Sequence, residues 1–147
     1  MPEAKAGYAA PTARVPRTIF QHAHRDEDDS FPPNIFLDQG ECFLLMPDNL
    51  NGLDKLYLWF WDDATEAKTV NVTVNIGSCN EAFNVHTQTV NAIAVNITAN
   101  EYECVDLTTT HATVLANLAS RDMLWIVVAF ASGDDPLYFI GAELQES

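Results

Sequence analysis

The chain is expected to be all-β, an antiparallel two-sheet sandwich behind an extended N-terminal arm. Three observations lead there. From residue 34 onward, short apolar runs recur between turn residues at the spacing of strands. Within Thr69 to Ile76, the apolar Val70, Val72, Val74 and Ile76 alternate with Thr69, Asn71, Thr73 and Asn75, the period-2 pattern of a strand with one face buried. The only stretch with helical spacing is Thr110 to Ala119, where Val114, Leu115 and Leu118 fall on one side, enough for one or two turns at a sheet corner.

A chain of 147 residues is near the size of one domain and can bury one core without covalent staples. Hydrophobic residues make up 48% and charged residues 19%, which excludes compositional disorder. No apolar run reaches the ~20 residues of a membrane helix, so no membrane partner is expected. The opening MPEAKAGYAAPTARVPR lacks the apolar stretch of a secretory signal, which makes the cytoplasm the expected place of synthesis.

The arm is expected over residues 1–33 and the sandwich over 34–147. Pro2, Pro11, Pro16, Pro32 and Pro33 fall in the first division, and proline fixes φ while removing a backbone donor. Thr18 to His22 has the residues for a short strand within the arm, and Arg25-Asp-Glu-Asp-Asp29 followed by Pro32-Pro33 marks a solvated, helix-free turn. Charge divides similarly: residues 1–25 carry +3 and residues 26–147 carry −17 of the net −14. Such a body repels phosphates, so nucleic acid is not an expected partner, and it offers a landing place for the basic arm of a neighbouring copy.

Nine strand candidates follow: Ile35 to Leu37, Cys42 to Met46, Leu56 to Trp61, Thr69 to Ile76, Ala82 to Val90, Ala92 to Thr98, Tyr102 to Leu107, Met123 to Ala131 and Leu137 to Leu144. Two of them, LYLWFW at 56–61 and MLWIVVAFA at 123–131, are apolar on both faces. Each needs two covers, and with no long helix available the second is expected to be a neighbouring subunit or a folded-back arm. A homo-oligomer is therefore expected, with Trp59, Trp61 and Trp125 as core or interface anchors. Cys42 and Cys104, lying in apolar strand patterns, are expected to fill the core.

No arrangement of residues points to catalysis. The element His22-Ala-His24 with Glu27 is similar to the H-x-H…E of cupins only superficially, because the gap to the acid is short and no later histidine follows a glycine-rich half. Asp62-Asp63, Asp134-Asp135, Glu66 and Asp122 lie at strand ends where calcium loops occur, without an EF-hand pattern. His86 and His111 have no nucleophile in a triad setting, and no G-x-S-x-G, G-x-x-x-x-G-K or G-x-G-x-x-G occurs. No catalytic residue, metal or cofactor is expected. The sequons Asn71-Val-Thr73 and Asn96-Ile-Thr98 lie within strands and read as accidental.

Val105 to Leu107, Arg121-Asp122 before Met123 to Phe130, the acidic Asp134-Asp135 and Phe139 to Leu144 together resemble the cadence of β-sandwich or jelly-roll domains of phage virion proteins. The resemblance implies a jelly-roll-like fold and a non-enzymatic structural role in the virion. The protein would be a capsid decoration, cement or appendage subunit, commonly a trimer, assembled in the host cytoplasm. Its expected partners are copies of itself and a larger assembly such as a capsid, reached through Arg14, Arg17, Ile19 and Phe20 of the arm. The alternative is a carbohydrate-binding or adhesin-like module using the polar face of Asn84, His86 and Gln88.

Overall fold

In a computed structural model, which describes residues 15–25, 32–36, 39–62, 66–79, 88–132 and 136–147, the described residues form nine strands and one short helix. They are β1 (Thr18–His22), β2 (His24–Arg25), β3 (Gln39–Leu45), β4 (Leu53–Asp62), β5 (Lys68–Gly77), β6 (Gln88–Ile97), β7 (Tyr102–Asp106), α1 (Ala112–Asn117), β8 (Met123–Ser132) and β9 (Leu137–Glu146). One sheet has the order β1-β9-β4-β7, the other β2-β3-β8-β5-β6, and every pairing is antiparallel. The pairs β1·β9, β3·β8, β4·β7 and β5·β6 are those of one long hairpin, and its rolling up adds β9·β4 and β8·β5. This is the jelly-roll connectivity, with β2 as a two-residue addition at one edge.

The core follows from strand alternation. Leu56, Leu58 and Phe60 of β4 face Val70, Val72, Val74 and Ile76 of β5 and Leu124, Ile126 and Val128 of β8, all fully buried. The same period carries charged residues inward at strand ends. Asp62 stays in phase with Phe60, and Lys68 with Val70, so the two meet between the sheets with Nζ donating to Oδ1 at 2.7 Å and both side chains fully buried. Lys68 Nζ also donates to the Glu66 carbonyl at 3.1 Å. The opposite end of the sandwich is closed by α1, whose Val114 and Leu115, with the following Leu118, are buried.

The sandwich begins before residue 34. β1 pairs with β9 from Thr18↔Gln145 to His22↔Gly141, and Ile19 packs on the core. The partner position at His22 must be glycine, because a Cβ at Gly141 would run into the Gln21 carbonyl and lie 3.0 Å from Phe20 Cζ. The Arg17 guanidinium fixes the start of β1, with Nε donating to Glu146 Oε2 at 2.8 Å and Nη2 to Oε1 at 2.7 Å; the Glu146 side chain is fully buried. Thr18 to His22, expected within the arm, thus belongs to the sheet, while residues 1–14 of the expected arm lie outside the described residues.

Other expectations shift in detail. Ile35 to Leu37 is not a strand where described: Asn34 makes an isolated bridge to Tyr138, and Ile35 and Phe36 form a turn. The single strand β6 takes in most of the run Ala92 to Thr98 and the described end, Gln88 to Val90, of the run Ala82 to Val90, residues 82–87 lying outside the described residues. Val72 pairs with Ile93 and Val74 with Val90, so β6 carries one extra residue opposite Thr73, and this bulge breaks the alternation that the sequence shows. Cys42 is buried as expected, whereas Cys104 is exposed, because it falls on the outward phase of β7 between Glu103 and Val105.

Candidate interaction surfaces

With Leu56, Leu58 and Phe60 turned inward, Tyr57, Trp59 and Trp61 are carried to the outside of the four-stranded sheet. The register sets their neighbours. Trp59 lies opposite Gly141 on one side and Cys104 on the other, while Trp61 lies opposite Tyr138 and Tyr102. Ring centroids are 5.3 Å apart for Trp59 and Tyr102 and 4.9 Å for Trp61 and Tyr138, both stacked. Trp59 Nε1 donates to Glu143 Oε2 at 3.1 Å, so this indole is satisfied within the sheet. Trp61 remains 41% and Tyr102 65% exposed. Phe20 adds another half-exposed ring at the β1 edge, set edge-on to His22 at 5.1 Å.

The opposite outer face is built the same way. Leu124, Ile126 and Val128 point inward, so Met123, Trp125, Val127 and Ala129 point outward along β8, beside Phe43 and Leu45 of β3. His24, Phe43 and Trp125 form a continuous stack across β2, β3 and β8, with centroids 5.6 and 5.8 Å apart. Leu45, at the end of this row, is 71% exposed. Both doubly apolar runs therefore present their second face to the outside, on opposite sides of the sandwich.

Other residues singled out from the sequence are placed differently. Arg17 and Ile19, expected to reach a partner, are engaged within the chain: the guanidinium fork holds Glu146, and the Ile19 side chain faces the core. Arg14, Asn84 and His86 lie outside the described residues, and Gln88 opens β6. Of the acids considered for calcium, Asp62 is buried against Lys68, and Asp122 is buried with Oδ2 accepting the Ala119 amide at 2.9 Å. Among the described residues no cluster of three or more His, Cys, Asp or Glu is placed to hold a metal ion. His111 is fully buried beside α1, with Nδ1 2.9 Å from the Thr110 hydroxyl. Tyr102 and Phe43 were not among the expected anchors; they join the stacks through cross-strand register, which sequence alone does not give.

The chain matches no model of a known protein family, and no curated protein matches it. Fold and surface together define a jelly-roll sandwich with an aromatic outer face on each sheet.

Proposed function

We propose that the protein is a structural subunit that works by protein-protein contact, as a capsid decoration, cement or appendage component of a virion, assembling with copies of itself and with a larger lattice. The observation that carries this reading is the pair of outer aromatic faces, Trp59 and Trp61 with their tyrosines on one sheet and Phe43 with Trp125 on the other. Large rings buried against a partner are the residues that anchor protein interfaces, and two opposite faces allow one copy to bridge two neighbours. The virion setting and a trimeric state rest on the resemblance of the C-terminal half.

The stacking also weighs against a sugar platform. A pyranose packs on the open face of an aromatic ring, and Trp59 and Tyr102, like Trp61 and Tyr138, each give one of their two faces to the other, which reduces the ring area a sugar could use. A carbohydrate-binding role would then depend on the region of Asn84 and His86.

The experiment is a truncation chosen from the fold. Removing residues 1–14 takes away the basic Lys5 and Arg14 but leaves Arg17 and β1 in place. The truncated protein should fold with unchanged thermal stability and assemble more weakly with its lattice. Assembly with unchanged affinity would overturn the role given to the arm, and a glycan that binds the full chain with micromolar affinity would favour the alternative.

A further inference from the structure

We propose that β6 is a second contact, an open sheet edge through which two copies pair antiparallel about a two-fold axis, joining their five-stranded sheets into one. This rests on the reading of the chain as a self-associating structural protein and adds where and how copies meet. β6 is the terminal strand of its sheet, and among the described residues its one strand neighbour is β5. It is ten residues long, so roughly half of its backbone N–H and C=O groups point away from β5. Unprotected edges of that length invite strand addition, and sheets normally blunt them with charges, prolines or brevity.

The other edges are blunted. β2 has two residues, β1 has five, and β7 has five and carries Glu103 and Asp106. β6 has none of these defences. No Asp, Glu, Lys or Arg occurs from Ala82 to Asn100, although twenty acids lie in residues 26–147. The uncharged border is two strands deep, because the outward positions of β5 beside it are Thr69, Asn71, Thr73 and Asn75, and those of β6 include Ala94 and Asn96.

Charge selects the occupant. Two bodies of −17 repel almost wherever they touch, and β6 itself brings no charge to the contact, with the Glu103 carboxylate meeting it only past its end, where it accepts the Thr98 amide at 2.8 Å. A basic arm gains no Coulomb attraction from an uncharged strand, whereas a second β6 offers a matching row of donors and acceptors. A two-fold axis sets identical strands antiparallel, the arrangement with the better hydrogen-bond geometry.

Hydrogen exchange on the full chain tests this. Amides of residues 88–97 should exchange about tenfold or more slowly at high than at low protein concentration, while those of β7, residues 102–106, change little. Ala94, exposed opposite Asn71, supplies the variants. Ala94→Glu and Ala94→Lys should each keep the wild-type melting temperature and lose the concentration-dependent protection, and their equimolar mixture should regain it. Protection that disappears when residues 1–14 are deleted would identify the arm as occupant and overturn the pairing. Oligomers whose β6 amides stay unprotected would overturn it too while leaving the structural role intact; a monomer at every concentration would overturn both.

Discussion

Asp62 and Lys68 close one end of the sandwich, with Nζ 2.7 Å from Oδ1 and both side chains fully buried between sheets that belong to different halves of the roll. Removing one partner leaves the other charge in the core. Lys68→Met alone should lower unfolding free energy by about 3–5 kcal/mol, and Asp62→Leu with Lys68→Met should recover most of it, because a hydrophobic pair avoids the desolvation that an ion pair must offset. Urea titrations of the two variants measure this; a double variant no better than the single one would mean that the pair does more than neutralise itself.

His111 gives the fold a pH dependence with a defined sign. It is fully buried, Nε2 has no hydrogen-bond partner among the described residues, and burial pushes its pKa below 6.5, opposed by the hydrogen bond with the Leu107 backbone. Between the folded and unfolded pKa the unfolded chain holds the extra proton, so this contribution to stability is complete above about pH 6.5 and declines as pH falls. The decline should reach at most about 1.4 kcal/mol per pH unit. His111→Gln should flatten the stability profile between neutrality and pH 5; an unchanged slope would assign the dependence to carboxylates.

The three cysteines should separate by reactivity. Burial pushes the Cys42 thiol up to about 12, and its Sγ lies 3.2 Å from the Gln21 carbonyl. Cys79 and Cys104 are exposed, with Cys104 raised first by desolvation and then by Glu143, Asp106 and Glu103. A thiol reagent at pH 8 should therefore modify two cysteines in the native protein, Cys79 faster, and the third only on unfolding. Rapid labelling of Cys42 under native conditions would show that β1 opens readily from β9.

The sandwich was legible because alternation at Val70, Val72, Val74 and Ile76 translates directly into a buried face, and the need for a second cover was legible because six consecutive apolar residues cannot all face one core, although the pattern left open whether the tryptophans or the residues between them point outward. What escaped the sequence depends on contacts made across strands. Thr18 to His22 is short and mostly exposed, and only its register with β9, the close approach at Gly141 and the Arg17 fork make it part of the sheet. The bulge opposite Thr73 shifts the phase of β6 and divides one strand into two apparent ones. Cys104 followed the wrong face because an isolated five-residue run does not declare which phase is inward.

Self-association through the outer faces is the central claim, and sedimentation equilibrium of the wild-type chain across a salt series tests it most directly. Because the bodies carry −17, association should tighten as salt rises toward about 0.5 M and screening shortens to a few ångströms. Trp59 and Trp125 both face outward, so Trp59→Glu and Trp125→Glu should each fold and weaken association by about a hundredfold. Oligomers that strengthen with salt and are lost in these variants are the predicted result; a wild-type chain that stays monomeric at high salt and tens of micromolar would contradict the account.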